Sequence, residues 1–241
     1  MTPSQAILYL EYRGQDHGQS SLNMSKQALQ HMMQSVTHQL APNEKLPTIT
    51  SERDEALNSR AYSSEHLKMV MDCQRENNAF STAISEAAGL RAHELFTIRP
   101  LAARAPSDRP ALETKFLGRE GHAYTVHGKG GLIREIRLPN ELAERLEEKR
   151  LPEPRTITDR GVNYQQFYDL NGGNRWSSSF STASNRALGW STGAHGVRHS
   201  YAQSRMRELQ VSHGLDRHTA LETVSQEMGH FRPSITEVYL R

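Results

Sequence analysis

Residues 123–138, AYTVHGKGGLIREIRL, alternate apolar and polar side chains on both sides of Gly128-Lys129-Gly130-Gly131. A period of two with a glycine-rich centre predicts a β-hairpin. Nearly everywhere else the apolar residues recur at helical spacing. Residues 19–40 place Leu22, Met24, Leu29, Met32, Met33, Val36 and Leu40 in such a pattern. Further helices are predicted from about Ser64, from Ala79 to Ala88 with Gly89 as the stop, near Phe180, from Gly196 to Leu209, and from His218 to Met228. Asn140 is positioned to cap the charged segment ELAERLEEKR, which Pro152 and Pro154 close. Ser234 and Glu237 have capping-box spacing, predicting a short last helix that carries Tyr239. The polar, proline-punctuated stretch 41–60 reads as a linker, and residues 153–179, rich in Gly, Asn and Ser, read as an exposed loop. The expected class is α+β, mainly helical with one small antiparallel sheet. Residues 1–60 are expected to form a short helical N-terminal segment with its linker, and 61–241 the main domain.

Composition narrows the function classes. Mean hydropathy is −0.71, and no run approaches the ~18 apolar residues of a membrane span. The N-terminus lacks the basic start and apolar stretch of a secretory signal. Cys73 is the only cysteine, which excludes an intrachain disulfide and a multi-cysteine zinc site. The expected location is cytoplasmic. Residues 1–86 carry 7 Lys+Arg against 10 Asp+Glu, whereas residues 87–241 carry 22 against 17. A basic C-terminal two-thirds suits a polyanionic partner such as nucleic acid.

Three segments carry candidate chemistry: AGLRAHEL (88–95), HGVRHSYA (195–202), and Met228-Gly229-His230 followed nine residues later by Tyr239. Cutting a phosphodiester without a metal requires fixed cations to meet the charge of a pentavalent transition state. Arginine serves because its planar fork donates two hydrogen bonds to phosphate and stays charged. A tyrosine nucleophile would store the bond energy as an aryl phosphate, and Lys or His can protonate the leaving oxygen, a contribution of ~10²–10⁴-fold. Each element alone has an ordinary structural explanation: a surface salt bridge, a simple turn, packing of a tyrosine. His195 and His199 lie four apart, a spacing that suits zinc, but the intervening Glu of a metalloprotease helix is missing and no third ligand is evident, so no metal is assigned.

In this order and spacing the segments resemble the signature boxes of the tyrosine recombinase, or phage integrase, family. AGLRAHEL is similar to its first arginine box, which implies that Arg91 is a catalytic arginine and Glu94 the acidic residue supporting it. HGKGGLIREIRLP resembles the family's β-hairpin, whose lysine, here Lys129, is the general acid. HGVRHSYA is similar to the second box, with Val197 for the usual leucine, and gives His195 and Arg198 active roles. MGHFRPSITEVYL resembles the closing box, with Met228 for leucine, and supplies His230 and the nucleophile Tyr239. The resemblance runs from about residue 64 to the end.

It implies a site-specific recombinase that integrates or excises a mobile element through a 3′-phosphotyrosyl intermediate, without ATP, metal or other cofactor. The implied partner is double-stranded DNA bearing a specific recombination site, on which the chain, a monomer or weak oligomer alone, assembles as a synaptic tetramer at the nucleoid. Lys26, Arg134, Arg137, Arg175, Arg186, Arg205 and Arg207 are expected surface contacts to the DNA backbone. Family members usually have a longer core-binding domain than the roughly 60 residues here and a tail beyond the tyrosine, so residues 1–60 are expected to be a partial or reduced one. A type IB topoisomerase, which shares the chemistry, and an inactive DNA-binding module are the alternatives.

Overall fold

The computed structural model describes residues 1–53 and 59–241; the part of the predicted linker at 54–58 lies outside the described residues. The chain forms two compact units, Met1–Asn58 and Ser59–Arg241. In the first, α1 (Pro3–Asp16) and α2 (Gln19–Ser35) pack through Ala6, Leu10, Leu22 and Met33. The sequence reading missed α1, although Thr2 and Gln5 form a capping box ahead of it. Residues 41–53 are irregular but no free linker. Leu46 is buried with the helices, and Ser51 and Glu52 bond back to His17 and Gly14. Lys26 Nζ is likewise engaged, donating to Thr48 Oγ1 at 2.7 Å.

The second unit begins with α3 (Ser64–Asp72) and α4 (Glu76–Ala88). Next come β1 (Arg99–Pro100), β2 (His122–His127) and β3 (Ile133–Leu138), an antiparallel sheet in that order. The predicted hairpin is β2–β3, paired from His122↔Leu138 to His127↔Ile133. Its turn needs glycine, because Gly130 and Gly131 have φ of 77° and 86°. Then follow α5 (Asn140–Glu148), β4 (Arg150–Asp159), β5 (Val162–Tyr168), α6 (Gly173–Leu188), α7 (His195–Arg207), α8 (Arg217–Glu227) and α9 (Pro233–Glu237). A single 3₁₀ turn, Val238–Leu240, carries Tyr239.

Four expectations are corrected. The predicted loop at 153–179 is a second antiparallel hairpin, β4–β5, followed by the first turns of α6. Most β4 side chains are exposed, so polar residues occupy both faces and no period of two is left to read. The described residues therefore hold two sheets instead of one. Asn140 is the first helical residue, with Pro139 at the cap position. Arg232 precedes α9 without a side-chain cap, and Pro233 opens it in place of a Ser234–Glu237 box.

One core joins α3, α4, α6 and the three-stranded sheet around Leu67, Phe80, Ile84, Val126, Ile136, Trp176 and Phe180. A second joins α7, α8 and the C-terminal turn around Tyr201, Leu209, Val224, Met228 and Tyr239. Gly89 sits between them. It ends α4 in the left-handed region (φ 57°), and a Cβ there would lie 2.6 Å from the Tyr201 ring. Gly89→Ala should therefore cost about 2–4 kcal/mol, combining left-handed strain with overpacking. Urea unfolding of the two proteins measures this; a loss below ~1 kcal/mol would mean that Tyr201 can move aside.

Candidate active site

The turn after α4 brings its carbonyls and Arg91 to the same point as β3, α7 and the end of α8. Glu94, fully buried, is the centre. Its Oε1 accepts from Arg91 Nη1 at 2.8 Å, and its Oε2 accepts from the Arg91 backbone N–H (2.9 Å) and from Arg134 Nη2 (2.8 Å). Burial alone would raise the carboxyl's pKa. Arg134, Arg198 and Arg91 outweigh burial and hold it well below the usual carboxylate range.

Arg198, on the first turn of α7, is fully buried. Nη1 donates to the Gly89 carbonyl, and Nη2 donates to the Met228 carbonyl (2.6 Å) and meets His230 Nε2 (3.0 Å). Since a guanidinium only donates, Nε2 is the acceptor, and the His230 proton sits on Nδ1, which faces Thr236 Oγ1 at 2.9 Å. Burial lowers the Arg198 pKa to about 10, so it stays cationic at neutral pH. Its Nε has no hydrogen-bond partner among the described residues. Three guanidiniums thus surround one carboxylate, two of them bonded to it, an excess of positive charge that an anion would offset.

Tyr239, 9% exposed, lies against this cluster. Its ring centroid is 4.6 Å from that of His199, 5.1 Å from His230, 5.4 Å from His195 and 5.6 Å from Arg198 Cζ. Burial, then the field of Arg198, lowers the His230 pKa to about 3; burial, then Arg60, lowers His199 to about 4. His195 reaches solvent, yet desolvation by the surrounding walls and Arg198 bring it to about 4. All three are neutral at pH 7.

The fold thus brings together Arg91, Glu94, His195, Arg198, His230 and Tyr239. The Lys129 side chain lies outside the described residues. The neighbouring Gly128 backbone runs beside the cluster, where a Cβ would be 3.4 Å from Glu94 Oε1 and 3.9 Å from Arg91 Nη1. Two predicted surface arginines are corrected. Arg134, 4% exposed, also donates to the Glu227 carbonyl (2.7 Å), and Arg205, fully buried, pairs with Glu227 at 2.9 Å. Neither is free to meet DNA. The signal was present: Arg134 shares the inward face of β3 with Ile136 and Leu138, and Arg205 follows Arg198 by seven residues on α7. Arg137 is half-buried over Phe116, while Arg175, Arg186 and Arg207 are exposed. His199 was weighed only as a metal ligand; no group of three or more His, Cys, Asp or Glu that could hold a metal occurs among the described residues.

Helical layers about a short antiparallel sheet give this chain a fold that tyrosine recombinases share. The likeness to solved structures covers the whole chain. XerH site-specific recombinase bound to palindromic difH substrate matches over 100% of this chain and 67% of its own, at 15% identity and a TM-score of 0.59. The Tn1549 transposon integrase in complex with transposon right end DNA matches over 100% and 81%, at 13% identity and 0.59. A lambda integrase dimer bound to a core site matches over 100% and 65%, at 14% identity and 0.61. At these identities the likeness is one of fold. No family model and no curated protein matches.

Two tests address the electrostatics. Glu94→Gln leaves Arg134 buried without its counter-charge and should cost about 3–5 kcal/mol at pH 7. Because the folded pKa of Glu94 is depressed, its contribution is complete above the unfolded value of ~4.3 and fades as pH falls below it. The gap between wild type and Glu94→Gln in urea unfolding should accordingly narrow in acid; a constant gap would mean that Glu94 is not ionised. His199 titrates lower folded than unfolded, so the unfolded chain binds more protons between about pH 4 and the unfolded ~6.5. Wild-type stability should rise with pH across that window, more steeply than that of His199→Gln; equal slopes would place the imidazole in a water-like environment.

Proposed function

We propose that this chain is a site-specific tyrosine recombinase that cuts and rejoins double-stranded DNA, with Tyr239 as the nucleophile. The observation that carries the reading is the gathering of three guanidiniums about the single carboxylate of Glu94, Arg91 and Arg134 bonded to it and Arg198 acting through its field, with Tyr239 packed over Arg198. The 13–15% identical proteins of the same fold, crystallised with DNA, support it.

Arg91 and Arg198 take the non-bridging oxygens of the scissile phosphate, and Arg134 holds Glu94 behind them. Tyr239 Oη attacks phosphorus, the P–O5′ bond breaks, and a 3′-phosphotyrosyl bond forms. His230 is committed at both nitrogens and acts by position. His195 is neutral, has no side-chain hydrogen bond among the described residues, and takes the tyrosine proton. A bound phosphate raises its basicity by offsetting the arginine field. Lys129, at the hairpin turn, protonates the departing 5′-oxygen. A 5′-hydroxyl from a partner strand then reverses the step, and the covalent bond conserves the energy. Guanidiniums supply the charge stabilisation, so neither ATP nor a metal is required.

Full recombination needs two sites brought together by a tetramer of the chain, and integration or excision of a mobile element is the proposed setting, at the nucleoid in the cytoplasm. Residues 61–241 serve as the catalytic domain, residues 1–60 as a reduced core-binding domain, and the exposed Arg175, Arg186 and Arg207, with Arg137, as contacts to the DNA backbone.

The test is covalent capture on a pool of nicked duplexes with a randomised core, in which the cleaved fragment diffuses away and the adduct accumulates. Wild type should form an SDS-stable adduct mapping to Tyr239, and Tyr239→Phe should retain DNA but form none. An adduct with Tyr239→Phe removes the nucleophile assignment. Lys129→Ala should slow cleavage by ~10²–10⁴-fold on ordinary DNA and far less where sulfur replaces the 5′-bridging oxygen. Equal losses on both substrates remove Lys129 from the acid role.

A further inference from the structure

The C-terminal turn is held to α7 by a row of side chains, one of which has no part in the chemistry above. His195, His199 and Gln203 are spaced four residues apart and so lie along one face of the helix. The first two place their rings on the Tyr239 ring. Gln203 comes one turn later. Its Nε2 donates to the Tyr239 carbonyl at 3.3 Å and to the Arg241 carbonyl at 2.9 Å, with Ser59 Oγ at 3.2 Å. The orientation of this amide is fixed by its neighbours: both carbonyls only accept, so the NH₂ must face them, and a flipped amide would set oxygen against oxygen.

The geometry points to Gln203 as the positioning residue for the nucleophile, an anchor that holds the backbone of the Tyr239 turn in place on α7 so that the hydroxyl of this same chain meets the phosphate bound by Arg91 and Arg198. This rests on the recombinase reading above. On that side the Tyr239 ring is packed in the second core, with Leu240 against it. At its other end Thr236, fully buried, is bound to His230 Nδ1. Between these two points Glu237 pairs with Arg217 at 3.0 Å and Val238 is 45% exposed, so apolar burial on the outer face adds little. A nucleophile on a single 3₁₀ turn can swing by an ångström or more when one anchor is lost, and a misplacement of about 1 Å costs about 10²-fold in rate. Gln203 touches neither the phosphate-binding arginines nor the attacking oxygen. Its loss should therefore slow the chemical step and leave DNA affinity alone.

The deciding variants are Gln203→Glu, nearly isosteric but with only acceptors facing two carbonyls, and Gln203→Lys, which keeps a donor. Each is compared with wild type on the duplex that wild type captures from the nicked pool. The readouts are single-turnover adduct formation at saturating DNA, the dissociation constant, and hydrogen exchange of the amides of residues 236–240. Gln203→Glu should form adduct about 100-fold more slowly with unchanged DNA affinity and faster exchange in that segment, and Gln203→Lys should stay close to wild type. Gln203 is only half-buried, so both variants should melt near wild type. Wild-type kinetics in Gln203→Glu, or equal slowing in both variants with unchanged exchange, would overturn the anchor while leaving the recombinase reading intact. Absence of any adduct from wild type overturns both.

Discussion

The Glu94 carboxylate is the one group without which the basic cluster could not exist. Three guanidiniums gathered in a largely buried site repel one another, and burial removes the water that would screen them. A single carboxylate at zero exposure, bonded to two of them and to a backbone N–H, makes the arrangement tolerable. Buried ion pairs are weak sources of net stability, but they fix geometry. Here the geometry is the useful product. The turn after α4, strand β3 and the first turn of α7 are drawn to one point, and the cluster keeps more positive charge than it neutralises.

A second buried carboxylate holds the frame from behind. Glu227 accepts from Arg205, from the Tyr201 hydroxyl (2.8 Å) and from the Phe116 backbone N–H (2.9 Å), while its own backbone carbonyl accepts from Arg134. Tyr201 in turn packs against Gly89, whose carbonyl receives Arg198. The two carboxylates are therefore linked through Arg134 and through the Gly89 turn. A disturbance of Glu227 would reach Arg91 and Arg198 by two short routes, although Glu227 is bonded to neither.

The hairpin, most helices and the clustering of six chemically distinctive residues were legible because each has a local signature: a period of two around glycines, a period near four, or a spaced motif. The second hairpin was not legible, since a solvated ribbon with polar residues on both faces has no hydrophobic alternation to betray it. Arg134 and Arg205 were misread for a different reason. A charge invites the assumption of exposure, whereas the periodicity of their own elements put both on inward faces, and only the buried carboxylates, distant in sequence, explain how that is tolerated. Gln203 carries no motif at all. Its role rests on two backbone carbonyls more than thirty residues away, which no spacing rule could have indicated.

The same surplus of positive charge governs the bases of the site. In the free protein the arginine field, added to burial, keeps His195, His199 and His230 neutral and makes them poor proton acceptors. A bound anion such as a phosphate diester would cancel part of that field beside the Tyr239 ring. Base strength is thus coupled to occupancy: the histidines strengthen as acceptors when an anion lies between Arg91 and Arg198, and weaken again when it departs. Such coupling ties the strength of the acceptors around the Tyr239 ring to the presence of an anion. It requires no moving part, only a single carboxylate among three guanidiniums.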